Sequence, residues 1–72
     1  MKINIDDEFL RRDKNFKAII SGKYDETLVI DIYTHGLEYV QELVVPEIMF
    51  SKLVREGMWK YVGNRKQTER LH

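Results

Sequence analysis

Between Thr27 and Val45 apolar residues recur with a period of two, broken once at His35-Gly36. No other feature of the 72 residues constrains the fold as much, because this period gives a strand one apolar and one polar face. Thr27 to Thr34 is rich in β-branched residues and predicts a strand. His35-Gly36 predicts a two-residue hairpin turn with glycine supplying positive φ, and Leu37 to Val45 predicts the returning strand. A loop of that length pairs Ile32 with Tyr39, Ile30 with Gln41 and Leu28 with Leu43. One face then collects Leu28, Ile30, Ile32, Leu37, Tyr39 and Leu43, with Gln41 its lone polar member, and is expected to be core. The other collects Val29, Asp31, Tyr33, Glu38, Val40 and Glu42 and is expected to face solvent. Burial sets the register, since a slip of one residue would exchange the two sets.

Around this hairpin the remaining elements follow from local signals. Lys2 to Ile5 reads as a short strand or an anchored N-terminal segment. Asp6 or Asp7 can cap a helix, and acids precede Arg11, Arg12 and Lys14, which predicts a short helix near Asp7 to Asp13 with Phe9 and Leu10 inward. Phe16 to Ser21 predicts a strand and Gly22 to Glu26 a turn. Pro46 suits the first turn of a helix whose apolar stripe is Phe50, Leu53, Val54, Gly57 and Tyr61. Gly57 either sits inside that helix or ends it, with Met58 closing a Schellman turn and Trp59 folding back. The expected fold is α+β in the order α-β-β-β-α: a three-stranded antiparallel meander with one main helix on its apolar face. The element order is that of the double-stranded RNA-binding domain, but Pro46 to Lys52 lacks the lysine cluster that opens the last helix of that family.

A chain of this length forms a single domain over residues 1–72, with 67–72 expected to fray. There is no cysteine, so packing alone must hold it together, as a monomer or a homodimer. The start lacks the apolar core of a signal peptide and no apolar run reaches membrane-spanning length, so a cytoplasmic protein is expected.

Formal charge sums to zero but is unevenly distributed. Asp25 to Glu47 holds six carboxylates and neither Lys nor Arg, while both flanks are net positive. Catalysis finds little support. His35 and His72 form no metal-ligand spacing, the serines and threonines have no neighbouring base, and the four glycines form no phosphate loop; no enzyme, metal or cofactor is expected. Two binding readings remain. In the first, Asp31, Tyr33, Glu38, Val40 and Glu42 form an acidic, tyrosine-bearing face for a basic protein partner. In the second, Arg11, Arg12, Arg65 and Lys66 neutralise phosphates and Trp59 stacks on bases, making a nucleic-acid-binding module. A third possibility is a self-associating module with Ile48 and Trp59 at its interface.

Met1-Lys2-Ile3-Asn4, the short helix, Ile20-Ser21-Gly22, Gly36-Leu37-Glu38-Tyr39-Val40 and Gly57-Met58-Trp59 resemble, in order and rough spacing, the small phage-encoded anti-CRISPR proteins. That resemblance implies an inhibitor from a phage or mobile element whose acidic surface imitates nucleic-acid phosphates in a nuclease groove. The family is strongly acidic overall, whereas this chain is neutral with basic ends.

Overall fold

The computed structural model describes residues 2–66, and among these residues the elements are one five-stranded antiparallel sheet and one helix. The strands are β1 (Asp7–Arg11), β2 (Phe16–Tyr24), β3 (Thr27–Thr34), β4 (Tyr39–Pro46) and β5 (Trp59–Asn64); α1 spans Glu47–Arg55. Their order across the sheet is β4-β3-β2-β1-β5. The fold is therefore α+β, as expected, but the element order β-β-β-β-α-β replaces α-β-β-β-α. The expected three-stranded meander is part of a larger sheet, and the likeness to the RNA-binding domain in element order goes with it. The expected tail, 67–72, lies outside the described residues. No described helix is long and apolar enough to cross a membrane.

The largest correction is at Asp7 to Asp13, where a strand replaces the expected helix. Seven residues hold few helical hydrogen bonds, whereas β1 is paired on both sides, with β2 and β5. Asp6 has φ +73°, which breaks a helical start. Only Phe9 of the expected inward pair enters the core; Leu10 is half-buried on the opposite face. Ile3 is fully buried and Lys23 Nζ donates to its carbonyl (2.8 Å), so the N-terminal segment is anchored without being a strand.

Pro46 caps α1 and Gly57 ends it. Gly57 has φ +83°, its amide donates to the Val54 carbonyl (3.0 Å) and the Met58 amide donates to Leu53 (3.0 Å), the two bonds of a Schellman ending. The chain therefore turns back into β5 and buries Trp59. About nine residues of helix rise ~13 Å, enough to carry the chain over most of a sheet whose strands lie ~4.8 Å apart. The core forms between α1 and one sheet face: Phe9, Ala18, Ile20, Leu28, Ile30 and Ile32 from the strands, Phe50 from the helix, and Trp59. Phe9 meets Phe50 edge-on with ring centroids 5.1 Å apart.

Candidate functional site

Among the described residues no further layer covers the sheet face away from α1, and the β3–β4 hairpin decides what it displays. Thr34 and Glu38 close a three-residue loop: the Thr34 amide donates to the Glu38 carbonyl (2.9 Å) and the Leu37 amide to the Thr34 carbonyl (2.9 Å). The loop is one residue longer than the expected two-residue turn, and its positive φ (+67°) falls on Leu37 instead of glycine. Tyr33 therefore faces Tyr39. Val40 is then the extra residue of a bulge, after which Ile32 pairs with Gln41, Ile30 with Leu43 and Leu28 with Val45.

The expected register is thus wrong by two residues, one from the loop and one from the bulge. Two single slips cancel in parity, so Leu43 still packs against the core while the residues before the bulge change sides. Tyr39 and Leu37, expected in the core, are 58% and 65% exposed. Val40 is the bulge residue instead of a regular member of the outer face.

On this open face, successive strands contribute rows. Glu8, Ile19, Asp31 and Glu42 lie in register across β1 to β4, so two carboxylates stand directly opposite each other on β3 and β4. The next row holds Lys60, Leu10, Lys17, Tyr33 and Tyr39. Glu8 is neutralised by Lys17 (2.7 Å), but neither Asp31 nor Glu42 forms an ion pair among the described residues. The Tyr33 and Tyr39 rings meet edge-on with centroids 5.8 Å apart. Partial desolvation, and then the charges of Asp31 and Glu42, hold the Tyr39 phenol above its ordinary pKa. Val29 and Val44 form a third row, with Val44 62% exposed.

Of the expected acidic-face residues, Asp31, Tyr33 and Glu42 are brought together; Glu38 closes the loop opposite Thr34, exposed but off the parity of the open face. Tyr39, Leu37 and Val44 were missed. No sequence signal places leucine in a left-handed turn, a position usually taken by glycine or asparagine. Leu37 and Tyr33 also wall a depression of ≈ 240 Å³ with Glu8, Lys17, Ile19 and Arg65.

The basic residues of the second reading divide. Arg11, Arg12 and Trp59 line a cleft of ≈ 420 Å³ where α1 ends over β1 and β5. Arg65 and Lys66 lie at the other end of β1, where the Arg65 amide donates to the Asp6 carbonyl (3.0 Å) and Lys66 approaches the Asp6 carboxylate (3.9 Å). Trp59 is 5% exposed, packed on Phe50 and covered by the Arg11 guanidinium, so it offers no open face for a base or a second copy. Arg11 is also bonded to Asp13 (2.9 Å), and this hydrogen bond, ahead of the charges nearby, lowers the Asp13 pKa. Ile48 remains exposed. Among the described residues no group of His, Cys, Asp and Glu side chains is placed to hold a metal ion.

Comparison with protein-family models, curated proteins and solved structures finds no match to this chain.

Proposed function

We propose that the chain is a small non-catalytic binding module whose open sheet face, at its β3–β4 side, docks on a basic groove of a nucleic-acid-processing protein. The supporting observation is the Asp31–Glu42 pair, directly opposed and without a cation among the described residues, beside a tyrosine pair in which Tyr39 is exposed and Tyr33 half-buried. Like charges facing each other across a sheet cost stability. A surface that needed only solubility would alternate its signs there. Tyr33, Tyr39 and Leu37 supply the apolar contact that acids alone lack. Grooves that hold phosphates are dense in Lys and Arg, which makes them the strongest electrostatic complement to such a patch. The anti-CRISPR resemblance implies a partner of the same kind, met in the cytoplasm.

A fluorescently labelled nine-arginine peptide tests the face directly. Anisotropy should report binding at low salt that weakens as salt rises, and Asp31→Lys with Glu42→Lys should weaken it about tenfold or more. Charge reversal at Arg11 and Arg12 should not weaken it. Unchanged affinity in the Asp31/Glu42 double variant would remove the proposal. Glu42→Lys alone turns the opposed pair into an attractive one and is expected to raise stability by about 0.5–1 kcal/mol in urea denaturation. The same substitution should bring the Tyr39 phenol down towards its ordinary pKa, measured by ultraviolet titration.

Leu37→Gly separates folding from binding. Relief of the left-handed backbone outweighs the added chain entropy of glycine, so thermal unfolding should show a gain of roughly 0.5–1 kcal/mol. Affinity for the arginine peptide is mostly coulombic and should change little. Affinity for a peptide in which arginine alternates with leucine should fall, because the exposed leucine contact is lost.

A further inference from the structure

We infer that the free edge of β4 takes up an extended, basic segment of a partner protein as a sixth strand, with lysine or arginine side chains alternating with apolar ones. The inference rests on the acidic-face reading and adds the backbone geometry by which the partner is held. In the sheet order β4 is terminal, and among the described residues it pairs only with β3. Sheet edges normally carry guards against pairing: lysines, prolines, bulges or a covering element. β4 contains neither Lys nor Arg, and its bulge at Val40 and its proline at Pro46 both lie at its ends. Between them Gln41 to Val45 is a regular stretch, paired residue for residue with β3.

Charge selects the occupant. A second copy added edge to edge would bring Glu42, with Asp31 one strand further in, towards the same acids of its twin. No Lys or Arg between Asp25 and Glu47 would offset that repulsion. A strand with cations on its open-face positions meets Glu42 directly, with Asp31 one strand further in. Its alternate side chains fall on the helix side of the sheet, where α1 leaves Ile48 and Met49 exposed beside the end of β4. Strand addition draws affinity from main-chain hydrogen bonds and selectivity from every second side chain. The two faces of β4 differ in character: Tyr39, Glu42 and Val44 lie on the open face, and Gln41, Leu43 and Val45 on the helix side.

The experiment compares two synthetic eight-residue peptides of equal charge, alternating lysine–valine and alternating lysine–proline, by titration and by NMR amide exchange on labelled protein. The expected result is at least about tenfold tighter binding of the lysine–valine peptide, since proline cannot donate to a ladder. It should also slow exchange of amides within Gln41 to Val45 and leave those of β5 unaltered. Equal affinities without added β4 protection would overturn strand addition and leave the acidic-face reading standing. β4 protection that survives Asp31→Lys with Glu42→Lys would overturn the acidic-face reading and the basic occupant together, leaving an edge that pairs without charge selection. Binding of neither peptide would overturn both. Protection of β4 that grows with protein concentration in the absence of peptide would overturn the basic occupant in favour of a second copy.

Discussion

Phe9→Ala is expected to cost about 3–5 kcal/mol, the range for deleting a fully buried aromatic ring. The Phe9 side chain is fully buried and joins both halves of the core. Its ring meets Phe50 of the helix at 5.1 Å and Tyr61 of β5 at 5.6 Å, both edge-on. Such pairs add about 0.5–1.5 kcal/mol beyond the area they bury. Small domains have total stabilities near the low end of about 5–15 kcal/mol, so the alanine variant should be largely unfolded at physiological temperature. Urea denaturation followed by the fluorescence of the single tryptophan, Trp59, measures the loss. A change below about 1 kcal/mol would contradict a central β1 whose Phe9 is enclosed by helix and sheet.

Asp7→Ala comes second, at about 2–4 kcal/mol, and its effect is polar. Asp7 is 3% exposed, yet its carboxylate is fully used. Oδ2 accepts from the Asn4 amide (2.8 Å) and Oδ1 from Asn64 Nδ2 (2.8 Å), while Asn64 also donates to the Ile5 carbonyl (3.1 Å). This clasp ties the N-terminal segment that buries Ile3 to the end of β5. Alanine would leave two donors without their acceptor, each costing about 1–3 kcal/mol if it stays buried. Asp7→Asn keeps one acceptor and places an amide against a donor, so roughly half the loss is expected. The same urea experiment gives both values, and hydrogen exchange should show the Asn4 amide losing protection in both variants.

The central hairpin was largely legible in the sequence, and the reason is burial. Leu28, Ile30 and Ile32 alternate strictly, and only one side of that strand can enter a core. Gly57 as a helix stop was one of two readings the sequence left open, and the Schellman ending, with Met58 as the apolar residue after it, decides between them. Asp7 to Asp13 misled because its charge order mimics a capped helix. Its strand state is fixed by pairing on both sides, and one of those partners, β5, lies about fifty residues further on, where no local signal reaches. The candidate face was half legible. Asp31, Tyr33 and Glu42 followed from parity alone, whereas Tyr39 and Leu37 depended on a loop one residue longer than the glycine suggested.

The sheet order also has a consequence for how the chain comes together in time. β1 to β4 are joined by short links and form from contacts near in sequence, which is the rapid kind. β5 alone must find a strand that left the ribosome some fifty residues earlier, and it brings Trp59 with it. Until then β1 is an open edge and Phe9 lacks part of its cover. Closing β5 on β1 therefore spans the longest chain separation in the sheet and carries its largest loop-closure cost, and whenever β5 is detached β1 presents an edge that the finished sheet hides.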